Sequence, residues 1–120
     1  MTTLAQQRSA FALEQLGYVT QDREGFKKLV MGLPAMILGN GFGQTLAFLL
    51  AKGTDKHIQA FAIITNWLRA RQVLTGPDNF QVMLEISQLP QHTYLQAQDE
   101  ALALLEWVKR YADAGLCGQP

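Results

Sequence analysis

Three glycines at positions 39, 41 and 43 are the first candidates for chemistry, because glycine-rich loops bring backbone N–H groups close to phosphates. The rest of that apparatus is missing. No Gly-Lys-Ser/Thr follows, no strand-like run precedes, and Leu46 stands where a dinucleotide fingerprint needs its third glycine. The glycines therefore read as an elbow with close helix approach, leaving a backbone phosphate contact near Asn40 as the functional alternative. His57 and His92 fall in different segments, with no His, Cys or carboxylate at the spacing a helix uses to hold a metal. Each reads as a surface or capping residue. Ser9 and Ser87 sit in no nucleophile elbow. Asp99, Glu100 and Glu106 lie on helix flanks without a partner for acid–base work. The pattern contains no catalytic constellation and calls for no cofactor, no metal and no small-molecule substrate.

The basic residues offer a different chemistry. They occur as Arg23/Lys27/Lys28, Lys52/Lys56, Arg69/Arg71 and Lys109/Arg110. Groups that converge on one surface can follow a phosphate backbone. The competing reading is a solvated helix face. Glu24 reaches Lys28 at i+4, and Glu106 reaches Lys109 at i+3 and Arg110 at i+4. The aromatics are mostly core by period, so no stacking platform for single-stranded bases is expected.

The elements that must position these groups are all helical. Residues 3–16 form a first helix, closed by Gly17. Asp22 or Thr20 caps a second, with Phe26, Leu29, Val30 and Leu33 as its apolar stripe. Pro34 predicts a new turn or a kink. The stretch Leu33–Lys52 reads as helix, elbow and central helix, with Asn40 as N-cap and Gly53 as the C′ glycine. Phe42, Leu46, Leu49 and Leu50 make one stripe there, and Ala47, Phe48 and Ala51 extend the apolar surface nearly all round, which predicts burial. A fourth helix runs from Thr54 or Asp55 to about Leu74; Arg71 is angled toward its apolar arc but lies in the last turn, where it is expected to snorkel or pair. Asp78 caps a short helix through Ile86, and Pro90 breaks the chain again. The last helix, about Thr93 to Ala114, keeps Tyr94, Ala97, Ala101, Leu104, Leu105, Val108, Tyr111 and Ala112 on one face. Gly115 is its C-cap. The expected fold class is all-α: one compact bundle of five to seven helices over residues 1–114, followed by a flexible tail at 115–120. Phe42, Leu46, Leu49, Trp67, Leu104 and Val108 are the expected core.

Composition bounds the partners. A chain of 120 residues with 48% hydrophobic residues suffices for one domain with a real core. No apolar run is long enough to cross a bilayer, and the polar N-terminus has no signal-peptide core, so no membrane is expected. The single cysteine, Cys117, excludes an internal disulfide and fits a reducing cytoplasm; in a Gly-rich end it reads as a frayed terminal thiol. Ten basic and ten acidic residues cancel, which argues against a stand-alone, electrostatically driven nucleic-acid binder.

Three segments carry a resemblance. They are Leu33–Ile37 with Asn40–Leu49 and Lys52; Asn66-Trp67-Leu68; and Glu100–Ala112, which contains Trp107-Val108-Lys109-Arg110-Tyr111. Their order and spacing resemble those of the small Cmr subunit of type III-B CRISPR effector complexes. The resemblance implies a helical bundle without catalytic activity. It implies copies stacked as a short filament, with other Cmr subunits and further copies of the chain itself as partners. It also implies contact with the backbone of guide RNA and target RNA, with base pairing supplying sequence specificity. Carried over residue by residue, Lys52, Lys109 and Arg110 lie within matched motifs, Lys27 and Lys28 just upstream, and Arg69 joins them from its own group. The position after Ile37, often basic in the family, holds Leu38 here, so no RNA contact is assigned to it. The alternative is a helical spacer that binds protein and touches no RNA.

Overall fold

Thr3 opens the first helix with a capping box: its hydroxyl accepts from the Gln6 N–H while the Gln6 side chain accepts from the Thr3 N–H. From there the computed structural model, which describes residues 1–119, runs through α1 (Leu4–Leu16), α2 (Arg23–Asn40), α3 (Phe42–Lys52), α4 (Asp55–Ala70), α5 (Asn79–Gln88) and α6 (Gln91–Asp113). Six helices and no strand among the described residues give the all-α bundle that the periodicities predict. Pro120, the end of the expected tail, lies outside the described residues.

Asp22 caps α2, its carboxylate accepting from the Gly25 N–H at 3.1 Å, and Asp78 caps α5 through the Gln81 N–H at 2.8 Å. Pro34 starts no new turn, and α2 continues through it to Asn40. The proline lacks only the N–H that would have met the Val30 carbonyl, and Leu33 and Ile37 on either side of it are fully buried. Asn40 is correspondingly the last residue of α2 and not the cap of α3. The elbow sits one residue later, at Gly41, whose φ of +96° only glycine adopts without strain. Gly53 ends α3 in the left-handed conformation, as expected. Helix α4 stops at Ala70, because Gln72 takes a positive φ of 62° and the N–H groups of Val73 and Leu74 fold back onto the Leu68 carbonyl. Arg71 therefore sits just past the helix end and is exposed to solvent, its charge acting on Glu100 through space, in keeping with a side chain expected to snorkel or pair.

The longest helix, α6, is the one the others gather on: α1, α2 and α4 all pack against it. All six predicted core residues are buried, and they belong to one continuous apolar cluster that extends from Ala12 to Cys117. Helix α3 packs on α2, α4 and α5 but is not buried all round. It hides Phe42, Thr45, Leu46 and Leu49, while Ala47 and Ala51 face solvent, since small side chains raise hydropathy without demanding cover. Cys117, expected at a frayed end, is buried, and the neighbouring Gly118 N–H donates to the Leu16 carbonyl at 2.9 Å. Burial pushes the Cys117 thiol up, away from the reactive thiolate.

Candidate nucleic-acid interface

The basic groups that the sequence scatters are sorted by the fold into two places. The first is the end of the bundle where the N-terminus of α2, the C-terminus of α3, the N-terminus of α4 and the C-terminus of α6 come together. Two ion pairs tie it. Lys56 Nζ lies 3.3 Å from Asp22 Oδ2, joining α4 to the α2 cap. Lys27 Nζ lies 3.7 Å from Asp113 Oδ1, joining α2 to α6, and 3.3 Å from Glu24 Oε1. Glu24 thus pairs with Lys27 at i+3 and not with Lys28. Lys28 is exposed and acts on Asp22 only through space. The Asp22 carboxyl is held below its ordinary value by the Gly25 N–H first and then by Lys56, with burial opposing them. Lys52, in the last turn of α3, rests its ammonium 5.8 Å from the Phe48 ring centroid, within cation–π range. Lys109 Nζ pairs with Glu106 Oε2 at 3.1 Å, one turn before Asp113 on the same helix, and Arg110 beside it is exposed. Among the described residues no carboxylate pairs with Lys28, Lys52 or Arg110.

The second place is the far end of α4. Arg69 is about 20 Å along the helix from Lys56, at 1.5 Å rise per residue. Two of its N–H groups are engaged locally: Nε donates to the Gly76 carbonyl at 3.0 Å and Nη1 to Asn66 Oδ1 at 2.9 Å. Glu85 holds the same loop from the other side, accepting from the N–H groups of Thr75 and Gly76 at 3.1 and 2.9 Å and from the Thr75 hydroxyl. Burial works most strongly against the Glu85 charge, yet these donors together keep its carboxyl below the ordinary value. Arg69 therefore braces a loop and does not join the other five candidates.

His57 lies at the first end and is buried, with its Nδ1 hydrogen-bonded to Thr54 Oγ1 and its ring 5.7 Å from that of Phe48, edge to face. Burial, then Lys56 and Lys52, lower its pKa, so the imidazole stays neutral at pH 7. It packs the α3–α4 corner, bonded to the α4 N-cap residue Thr54; of the two expectations, surface or capping, the surface one fails.

Sequence reasoning leaves Glu100 without a partner; the structure makes it a hub. Arg8 donates to it in bidentate fashion, Nε to Oε1 at 2.8 Å and Nη2 to Oε2 at 3.1 Å, and Trp67 Nε1 donates to Oε1 at 2.8 Å. The Arg8 bonds, against burial and with help from Trp67, hold the Glu100 carboxyl below its ordinary value. Arg8 and Glu100 are 92 positions apart, so no local spacing could have paired them. This cluster stitches α1, α4 and α6 together. Among the described residues no group of three or more His, Cys, Asp or Glu side chains could hold a metal ion, and no helix is long and apolar enough to cross a membrane.

The end of the bundle where α2, α3, α4 and α6 meet thus gathers cations, Lys28, Lys52 and Arg110 among them, that no carboxylate among the described residues pairs with. Known proteins place it further. Residues 4–115 match the family of the CRISPR-associated protein Cas_Cmr5. The CRISPR system Cmr subunit Cmr5 of Thermotoga maritima is 31% identical over 121 residues, taking in 99% of this chain and 89% of that one. The crystal structure of a CRISPR-associated Cmr5 family protein from Thermus thermophilus superposes with a TM-score of 0.78 over 95% of this chain and 97% of the other; at 24% identity that likeness concerns the fold. Matched over nearly its whole length and backed by a relative at 31% identity, the chain belongs to the CRISPR-associated Cas_Cmr5 family, the small Cmr subunits that its motifs resemble.

Proposed function

We propose that the chain is a non-catalytic structural subunit of a Cmr effector complex, working in the cytoplasm, stacking in copies along guide RNA paired with target RNA and touching the RNA backbone. The family match over residues 4–115 carries the assembly part of this reading. The backbone contact is supported by the bundle end described above, where Lys28, Lys52 and Arg110 face solvent without a carboxylate partner among the described residues. Each would neutralise one phosphate. Lys27 and Lys109 lie beside them in exposed ion pairs, which are worth about 0–1 kcal/mol and can be exchanged for phosphate. Arg69 stays outside the set because it lies at the far end of α4, where two of its N–H groups hold Gly76 and Asn66.

The mechanism is positional. Phosphate contacts fix where the duplex lies and carry no sequence information, which guide–target pairing supplies. Zero net charge and a handful of cations leave one copy with weak RNA affinity. Several copies on one strand raise each other's effective concentration, so affinity belongs to the stack.

A second reading, the pure spacer, is favoured by one observation. Lys27, Lys56 and Lys109 each already sit within 4 Å of a carboxylate. The test is Lys28→Ala, Lys52→Ala and Arg110→Ala combined, with target-RNA affinity of the whole complex measured across salt concentrations. The RNA reading expects weaker binding and a slope shallower by about 0.7–0.9 for each phosphate that a copy no longer neutralises. Unchanged affinity and slope would leave the spacer.

A further inference from the structure

The cations gathered at one end of the bundle differ in how they are held. Lys27, Lys56 and Lys109 are fixed by carboxylates, which also neutralise them. Lys28 and Arg110 are exposed, with neither a carboxylate nor an aromatic face beside them among the described residues. Of these, only Lys52 is held without being neutralised. Its ammonium rests 5.8 Å from the centroid of the Phe48 ring, one turn earlier on α3. Attraction to a ring face engages none of the three ammonium N–H donors, so all of them are left for an anion.

The ring is itself held. His57, buried at the α3–α4 corner, lies 5.7 Å from Phe48 with the two ring planes at 72°. Its Nδ1 is hydrogen-bonded to Thr54 Oγ1. Thr54 is the N-cap residue of α4, and a threonine there ordinarily accepts from a backbone N–H of the first turn, as Thr3 accepts from Gln6 in α1. Thr54 makes no such bond. Its hydroxyl goes to the imidazole instead, so α4 forgoes a side-chain cap while the orientation of His57 is fixed. The imidazole is neutral at pH 7 and repels neither Lys52 nor Lys56. Lys52 in the last turn also suits the negative end of the α3 dipole. That accounts for a lysine at this position, but not for the withheld cap or the perpendicular rings.

We propose that Phe48 is a positioning residue that presents the Lys52 ammonium to an RNA phosphate, with His57 and Thr54 holding the ring behind it. The inference rests on the RNA reading above and gives uncharged residues a part in it. A lysine already in place loses less side-chain freedom when the phosphate arrives. Lys52 therefore contributes more to affinity than Lys28 or Arg110, although each neutralises one phosphate.

Substitutions in the whole complex test it, with target-RNA affinity measured across salt concentrations and circular dichroism melts to confirm each fold. Lys52→Ala should weaken binding and make the salt slope shallower by about 0.7–0.9 for each phosphate that a copy no longer neutralises. Phe48→Leu keeps the charge. It should weaken binding by about two- to tenfold for each copy in contact with RNA and leave the slope nearly unchanged. Phe48→Tyr keeps a ring face and should recover most of that loss. In a Lys52→Ala background, Phe48→Leu should weaken binding no further. Thr54→Val, at an exposed position with no backbone cap bond to lose, frees the imidazole and should weaken binding by less than Phe48→Leu. Phe48→Leu losses that persist without Lys52, or a Phe48→Tyr complex as weak as Phe48→Leu, would overturn the proposal. Should Phe48→Leu not fold, a Thr54→Val complex that binds like wild type overturns it. Lys52→Ala with unchanged affinity and slope removes the RNA reading at this site and the proposal with it. A Lys52→Ala loss beside a silent Phe48→Leu removes the proposal alone.

Discussion

Removing the Glu100 carboxylate is the sharpest test of how the bundle is held. In Glu100→Ala the Arg8 guanidinium loses both of its short bonds, and the Trp67 indole N–H loses its acceptor in a site where the Glu100 side chain is 13% exposed. Breaking one partner out of a fully buried pair costs about 3–5 kcal/mol. Arg8, 19% exposed, can turn partly to water, which lowers the figure, while the stranded indole N–H adds its own desolvation. The result should be a loss of about 2–4 kcal/mol, or a melting temperature lower by roughly 8–16 °C at about 4 °C per kcal/mol for a chain of this size. Glu100→Gln keeps an acceptor for Trp67 and should lose less. Arg8→Ala added to Glu100→Ala should cost little more, because the pair is already broken. The pH dependence has a definite sign. The folded-state carboxyl titrates below its ordinary value of 4.5. Its stabilisation is therefore complete above that value and disappears as pH falls through the lower folded-state value. The gap between wild type and Glu100→Ala should be full at pH 7 and narrow as pH falls below the ordinary carboxyl value of 4.5. Thermal or denaturant melts from pH 7 to pH 3 read this directly. A Glu100→Ala protein as stable as wild type at pH 7, or a gap that widens on acidification, would refute the reasoning.

Leu46→Ala and Leu104→Ala should each cost about 2–5 kcal/mol by denaturant melts, since both side chains are fully buried in the central cluster. Gly76→Ala should destabilise by about 1–3 kcal/mol, because its Cβ would stand 3.0 Å from the backbone of Gln81 and Val82, which cannot swing away. Arg69→Ala should lower the melting temperature by loosening the same loop while leaving RNA affinity of the complex unchanged, in contrast to the Lys28, Lys52 and Arg110 set.

Helix identity was legible in the sequence because the signals are local. Apolar stripes at i, i+3, i+4 and i+7 give the six helices and the buried set, and Asp22, Gly53 and Asp78 mark ends by short-range chemistry. Helix ends that depend on tertiary context were less legible. Pro34 passes through α2 because the side chains flanking it are anchored in the core, and the elbow falls at Gly41 instead of Asn40 because the positive-φ turn needs glycine. The candidate interface shows the same division. Sequence supplies the basic groups, but only packing shows that Lys27 meets Asp113 and Lys56 meets Asp22, so that five of six candidates gather at one end while Arg69 braces a loop. Glu100 was opaque for the same reason: its partners come from α1 and α4, far away in the chain.

The most direct measurement is recovery of the native assembly. An affinity-tagged copy of this chain, expressed at its natural level and purified gently from its own cells, should bring down the other Cmr subunits together with guide RNA, with several copies of the chain per complex by native mass spectrometry. Recovery of the chain alone, or with proteins unrelated to Cmr and no RNA, would contradict the account.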